Sequence, residues 1–160
     1  MKTHQNTIGK NQEWLTPPEI IEALGVFDLD PCDARKSPFK TANNVFWKHG
    51  LDLEWDGRVW CNPPFDRRER PKWMQKMATH GNGIMLIPAA CETEAFFKYV
   101  WDNATGILFL KGRPHFHYID GSRAKANSGC TICLVAYGYN NAKILKRSKI
   151  PGKFIQLMPF

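Results

Sequence analysis

The sequence predicts an α/β domain whose mixed, mostly parallel sheet is covered on both faces by helices. Three observations predict it. Short runs that are apolar at nearly every position recur along the chain, segments with helical spacing separate them, and prolines or glycines punctuate the joins. A strand wetted on one side would alternate polar and apolar residues, so uninterrupted runs belong to strands buried on both faces.

Each element follows from local chemistry. TPPEIIEALG (16–25) reads as a helix with Pro17 or Pro18 in its first turn, where a missing backbone N–H costs nothing. VFDLD (26–30) reads as a strand, followed by RVWC (58–61), GIMLIP (83–88), GILFL (106–110) and CTICLVAY (130–137). PKWMQKMATHG (71–81) is helical, with Pro71 early and Gly81 at its end, and ETEAFFKYVWDNA (92–104) carries an amphipathic repeat. Only 27 residues separate DLD from RVWC, too few for two β-α crossovers of ordinary length, so the sheet must be abbreviated there. With no repeat, low-complexity tract or linker, residues 1–160 are expected to form a single domain, with the polar residues 1–13 flexible.

A chain of 160 residues with 43% hydrophobic side chains can bury a sizeable core. Lys and Arg outnumber Asp and Glu by 22 to 15, which favours a polyanionic partner such as nucleic acid. No apolar run is long enough to span a bilayer and the start lacks a signal-peptide core, so a cytoplasmic location and no membrane partner are expected. Five cysteines, an odd number scattered through apolar segments, point to reduced thiols. Cys130 and Cys133 are three apart on a predicted strand and so face opposite ways, and His115 and His117 have no third ligand nearby. No metal is expected.

The stretch WCNPPFD (60–66) bears most directly on chemistry. Two adjacent prolines donate no backbone hydrogen bond, so they stop the strand and hold Asn62 and Phe65 on a stiff corner. Strand VFDLD runs similarly into Asp30-Pro31-Cys32-Asp33. In open α/β sheets, ligands collect beyond the carboxyl ends of strands near the point where strand order reverses. If these two strands are neighbours there, both polar segments open into one crevice. Asp66 opens DRRE, which allows a capping box, although a base role is also conceivable; the cap is preferred.

In order, TPPE, DLDPCDA, GL…W…VWCNPPF, LIPA and GRPHF…SGCTICLVAYG resemble the phage-type DNA N-6-adenine methyltransferase family over about residues 14–138. The resemblance implies a compact, abbreviated Rossmann-like fold using S-adenosylmethionine, with no separate target-recognition domain. It also implies that the adenine amino group meets Asn62 and the carbonyl of Pro63, with Pro64 completing the motif. Phe65 would stack on the extruded base. Thr16 and Pro17, with Asp30, Pro31, Cys32 and Asp33, are then expected around the methionine portion of the cofactor, where a carboxylate can accept from its α-ammonium.

DNA would be met by Arg67 and Arg68 after the motif, with Arg70 and Lys72 nearby. The loop 117–129 adds Arg123 and Lys125 toward phosphates and Asn127 and Ser128 toward base edges. Sequence departures include the absence of Gly-x-Gly after the first strand, His49 before Gly50-Leu51 where an acid is common, and Ala90 after LIPA. Asp33 and Asp52 are the candidates for the ribose. A monomer or homodimer is expected. Other amino acceptors, or a silent DNA-binding relative, are the alternatives.

Overall fold

The computed structural model describes residues 13–159, so the expectation of a flexible 1–13 segment lies, but for Glu13, outside the described residues. The elements are α1 (Pro18–Leu24), β1 (Leu29–Asp30), β2 (Asn44–Val45), β3 (Val59–Cys61), α2 (Arg70–His80), β4 (Gly83–Pro88), α3 (Glu94–Phe96), β5 (Gly106–Leu110), β6 (Ile132–Tyr137), α4 (Tyr139–Arg147) and β7 (Gly152–Gln156). Helix α3 continues as a π-helical segment, Phe97–Trp101.

One sheet runs in the order β2-β1-β3-β4-β6-β5-β7. The pairs β1–β2, β1–β3 and β3–β4 are parallel, whereas β4–β6, β5–β6 and β5–β7 are antiparallel. This corrects the expectation of a mostly parallel sheet. The parallel strands are only two to six residues long and their shared ladders are short, while β6 pairs along its whole length with β4, so antiparallel pairing supplies most of the ladder. The abbreviation expected after DLD is present. Both connections around β2 are made without a helix, and β2 and β3 lie on opposite sides of β1.

Both faces of the central strands are buried, as the uninterrupted apolar runs require. Val59, Cys61, Met85, Ile87, Cys133 and Val135 point to a face covered by Trp73, Met74 and Met77 of α2 and by Phe96 and Val100. Their neighbours Trp60, Ile84, Leu86, Ile132 and Leu134 point to the other, covered by Ile20 and Leu24 of α1 and by Ala142 and Leu145 of α4. Each fully buried aliphatic or Met side chain contributes about 1.5 to 3 kcal/mol through its removal from water.

The segment 92–104 was expected to be an ordinary helix. Thr93 caps it, its side chain accepting from Phe96 N, but the turn then widens, and Asp102 N donates to Phe97 O, five residues back. The wider turn accompanies burial of both Phe96 and Val100, with Trp101 at 5.2 Å from the Phe96 ring.

Candidate active site

Because β1 and β3 are adjacent and parallel, with Leu29 opposite Val59, their carboxyl ends lie side by side. The segments that follow them line one narrow crevice. Its walls include Thr16, Asp30, Cys32, Asp33, Trp60 and Asn62. Five residues singled out from sequence therefore meet in one place. Asn62 Nδ2 donates to Thr16 Oγ1 at 3.2 Å and to the Trp14 carbonyl at 3.3 Å. The Trp14 carbonyl, which can only accept, fixes which end of the amide is nitrogen, and Asn62 Oδ1 accepts nothing from the described residues.

The two carboxylates differ. Asp30 is buried, with Oδ2 accepting from the Thr41 hydroxyl at 2.6 Å and Oδ1 from Cys32 N at 2.9 Å. Burial pushes its pKa up to about 7, the nearby Asp33 adding to the rise while the bonds from Thr41 and Cys32 oppose it. Asp30 thus ties the loop after β1 to Thr41. Asp33 is partly exposed, and Oδ1 accepts from Ala34 N at 2.8 Å, leaving Oδ2 without a partner among the described residues. Burial raises it to about 6. Cys32 is held as a thiol, because burial and both carboxylates push its pKa up.

Gly50 explains why Gly-Leu accompanies the first motif. A Cβ at Gly50 would lie 1.8 Å from the carbonyl oxygen of Pro31, so only glycine lets the two loops touch. Asp52, by contrast, faces solvent beside His49, 3.5 Å away, and is not a crevice residue; Asp33 is.

A family model described as DNA N-6-adenine-methyltransferase (Dam) matches residues 3–148. The chain belongs to this family. Comparisons with curated proteins and with solved structures give no match.

The remaining positions of this Dam-family chain surround the crevice unevenly. Phe65 is partly buried and packs edge-on against Phe116, ring centroids 5.7 Å apart. Pro63 is buried and Pro64 partly exposed. Asp66 Oδ1 accepts from the backbone N–H of Arg68 and Glu69, so it caps the turn before α2, and those bonds lower its pKa. Arg67 and Arg68 are exposed; Arg70 is not free, since Nη1 donates to Phe65 O at 3.3 Å, and Lys72 pairs with Glu69 at 2.9 Å.

The loop 117–129 joins the crevice wall through paired backbone bonds between Leu15 and His117 and through Trp14 against Tyr118 at 5.3 Å. Arg123 and Lys125 are exposed there. Asn127 Oδ1 accepts from Gly129 N and the Ser128 hydroxyl donates to Cys130 O, so both side chains shape their own turn. His115 and His117 face backbone carbonyls of Ala124 and Gly121, and no group of three His, Cys, Asp or Glu able to hold a metal forms among the described residues. No helix among them is long and apolar enough to cross a membrane.

Trp60 was missed by sequence reading. It lines the crevice, yet its indole N–H is buried without a partner among the described residues. Its position on β3, two residues before Asn62, was the available signal, obscured because a tryptophan inside an apolar strand reads as core.

Proposed function

We propose that the chain is an S-adenosylmethionine-dependent DNA adenine-N6 methyltransferase of Rossmann-like descent, acting on a base turned out of the duplex. The observation that carries this reading is the amide of Asn62, oriented by Thr16 and Trp14 so that Oδ1 is left as an open acceptor beside the loop after β1.

The amino nitrogen of adenine is a poor nucleophile because its lone pair is delocalised into the ring. Acceptors for its two hydrogens, Asn62 Oδ1 and the Pro63 carbonyl, favour the electron-rich, more tetrahedral nitrogen of the transition state over the planar ground state. Holding that nitrogen in line also avoids the entropic cost of a chance encounter. Phe65, steadied by Phe116, offers a ring face to the base, and stacking of about 1 to 3 kcal/mol per base is comparable to the few kcal/mol that extrusion costs.

The crevice residues fit the methyl donor. When bound, S-adenosylmethionine supplies an electrophilic methyl group on a sulfonium. The free Oδ2 of Asp33 suits the α-ammonium, and the partnerless Trp60 N–H is a donor awaiting an acceptor. Asp30 serves by fixing the loop, since both its oxygens already accept from the protein. The proton lost from the product nitrogen leaves to water; Asp66, occupied in its turn, is not needed as a base.

Incubation with labelled S-adenosylmethionine and DNA of mixed sequence, followed by digestion to nucleosides, is expected to yield N6-methyladenine. Label in cytosine, in RNA or in protein, or no label despite cofactor binding, would contradict this reading.

A further inference from the structure

We propose that Trp47, with Arg35 and Lys48 lying over its ring, forms a second DNA contact that grips backbone phosphate at the rim of the crevice. The proposal rests on the function proposed above for its partner class, but on different residues. Residues 43–49 are exposed without interruption, and Val45 and Trp47 stand 44% and 46% exposed at the end of edge strand β2. Trp47 is the one exposed tryptophan of the six in the chain. Isolated exposed apolar residues are ordinary; an exposed indole carrying two cations is not.

The Arg35 guanidinium carbon lies 5.0 Å, and the Lys48 ammonium 4.6 Å, from the Trp47 ring centroid. The two charges are thus within about 10 Å of each other. Neither forms an ion pair with a carboxylate among the described residues. The ring holds together two like charges that lack a counterion, which is the arrangement a polyanion relieves. Asp28, Glu54 and Asp56 gather round Phe46 and Asn44, on the opposite side of the alternating strand, while Asp33 meets Phe46 O through its backbone N–H and turns its Oδ1 to Ala34 N.

Position selects the ligand. Strand β2 runs parallel to β1, with Val45 opposite Asp30, so Trp47 emerges beyond the same carboxyl edge as the crevice. Phe46 O accepts from Asp33 N at 2.9 Å, and Arg35 follows the crevice residue Ala34 directly, so the patch and the crevice share a wall. A similar pair, Lys143 over Tyr139 at 4.2 Å, sits past Tyr137, which pairs with Gly83 at the amino end of β4, the opposite end of the strands from the crevice.

The test is the salt dependence of DNA binding by fluorescence anisotropy. Arg35→Gln/Lys48→Gln should weaken binding about tenfold and reduce the slope of log K against log salt by about two, one for each phosphate released. Trp47→Ala, which keeps both charges but removes their platform, should weaken binding with the slope nearly unchanged, and Lys143→Gln should change neither. Cofactor affinity by calorimetry should stay at the wild-type value in all three. An unchanged slope in the double variant, an equal loss in Lys143→Gln, or no DNA binding by the wild type overturns the proposal. So does a shift from dimer to monomer in Trp47→Ala during sedimentation with DNA binding intact, which would make the patch a contact between copies. If the wild type binds DNA with the predicted slope but makes no methyladenine, the catalytic reading fails and the patch stands.

Discussion

The two ends of the sheet treat their polar groups in opposite ways. At the amino ends of β3 and β4, Arg58 Nε donates to Asn141 Oδ1 at 2.6 Å and Nη1 to Val26 O, while its own N–H donates to Asp28 Oδ2. Asn141, 1% exposed, donates in turn to Asn82 Oδ1 and Tyr137 O. The guanidinium lies 4.0 Å from the Phe27 ring, and Arg58 Nη2 is buried without a partner among the described residues. At the carboxyl ends, Asn62 Oδ1, Asp33 Oδ2 and the Trp60 N–H have no partner among the described residues, and two carboxylates are pushed toward neutrality. A buried polar network that closes on itself stabilises the fold; one left open is shaped for a ligand.

The sharpest way to break that contrast is a pair of substitutions. Asn62→Ala removes an acceptor used in the transition state and is expected to lower kcat by about 10²- to 10³-fold, with the melting temperature and cofactor affinity preserved. Asn141→Ala should do the reverse: a loss of about 2 to 3 kcal/mol in denaturant unfolding, because Arg58 Nε and Asn82 lose a buried partner, with kcat unchanged in the folded protein. Equal effects on rate and stability at both ends would dissolve the distinction.

A smaller effect is expected at Phe65. Phe65→Ala should weaken target engagement about tenfold by removing the ring, whereas Phe65→Tyr keeps the π face and should be tolerated. Equal losses in both would argue against stacking. The smallest effect concerns pH. Asp30 and Asp33 hold their protons in the folded chain up to about 7 and about 6, well above the value of about 3.9 for an unperturbed Asp. Between those limits the folded state binds more protons than the unfolded one, so these groups make stability fall as pH rises from about 4 to about 7. Asp30→Asn should flatten that fall in thermal unfolding, and an unchanged slope would show that the buried carboxylate does not carry it.

Where sequence and structure agree, the residues had little choice. GIMLIP and GILFL are strands at the bounds read from sequence because runs apolar on both faces fit only the middle of a covered sheet. The crevice was legible for the same reason: a strand followed by Pro-Pro or by Asp-Pro must stop, and adjacent strands must stop together. Other elements were not. Strand β2 is two exposed residues long and exists only because β1 offers it an edge. The stretch 143–153, rich in Lys and Arg, supplies the end of α4 and the start of β7. Asn140 and Asn141 disfavour a helix on their own, but Asn141 is held there by partners 59 and 83 residues away, which no local pattern reveals. In β7 only Phe154 packs against the core while Ile155 is 40% exposed, so the strand shows no clean alternation.

The account depends most on the open end of the sheet being a cofactor site, and calorimetric titration of S-adenosylmethionine tests it directly. Asp33→Asn is expected to lose about tenfold to a hundredfold in affinity, the worth of one charge-assisted hydrogen bond, while Asn141→Ala binds as the wild type does. Wild-type affinity in Asp33→Asn, or an equal loss in both variants, would contradict it.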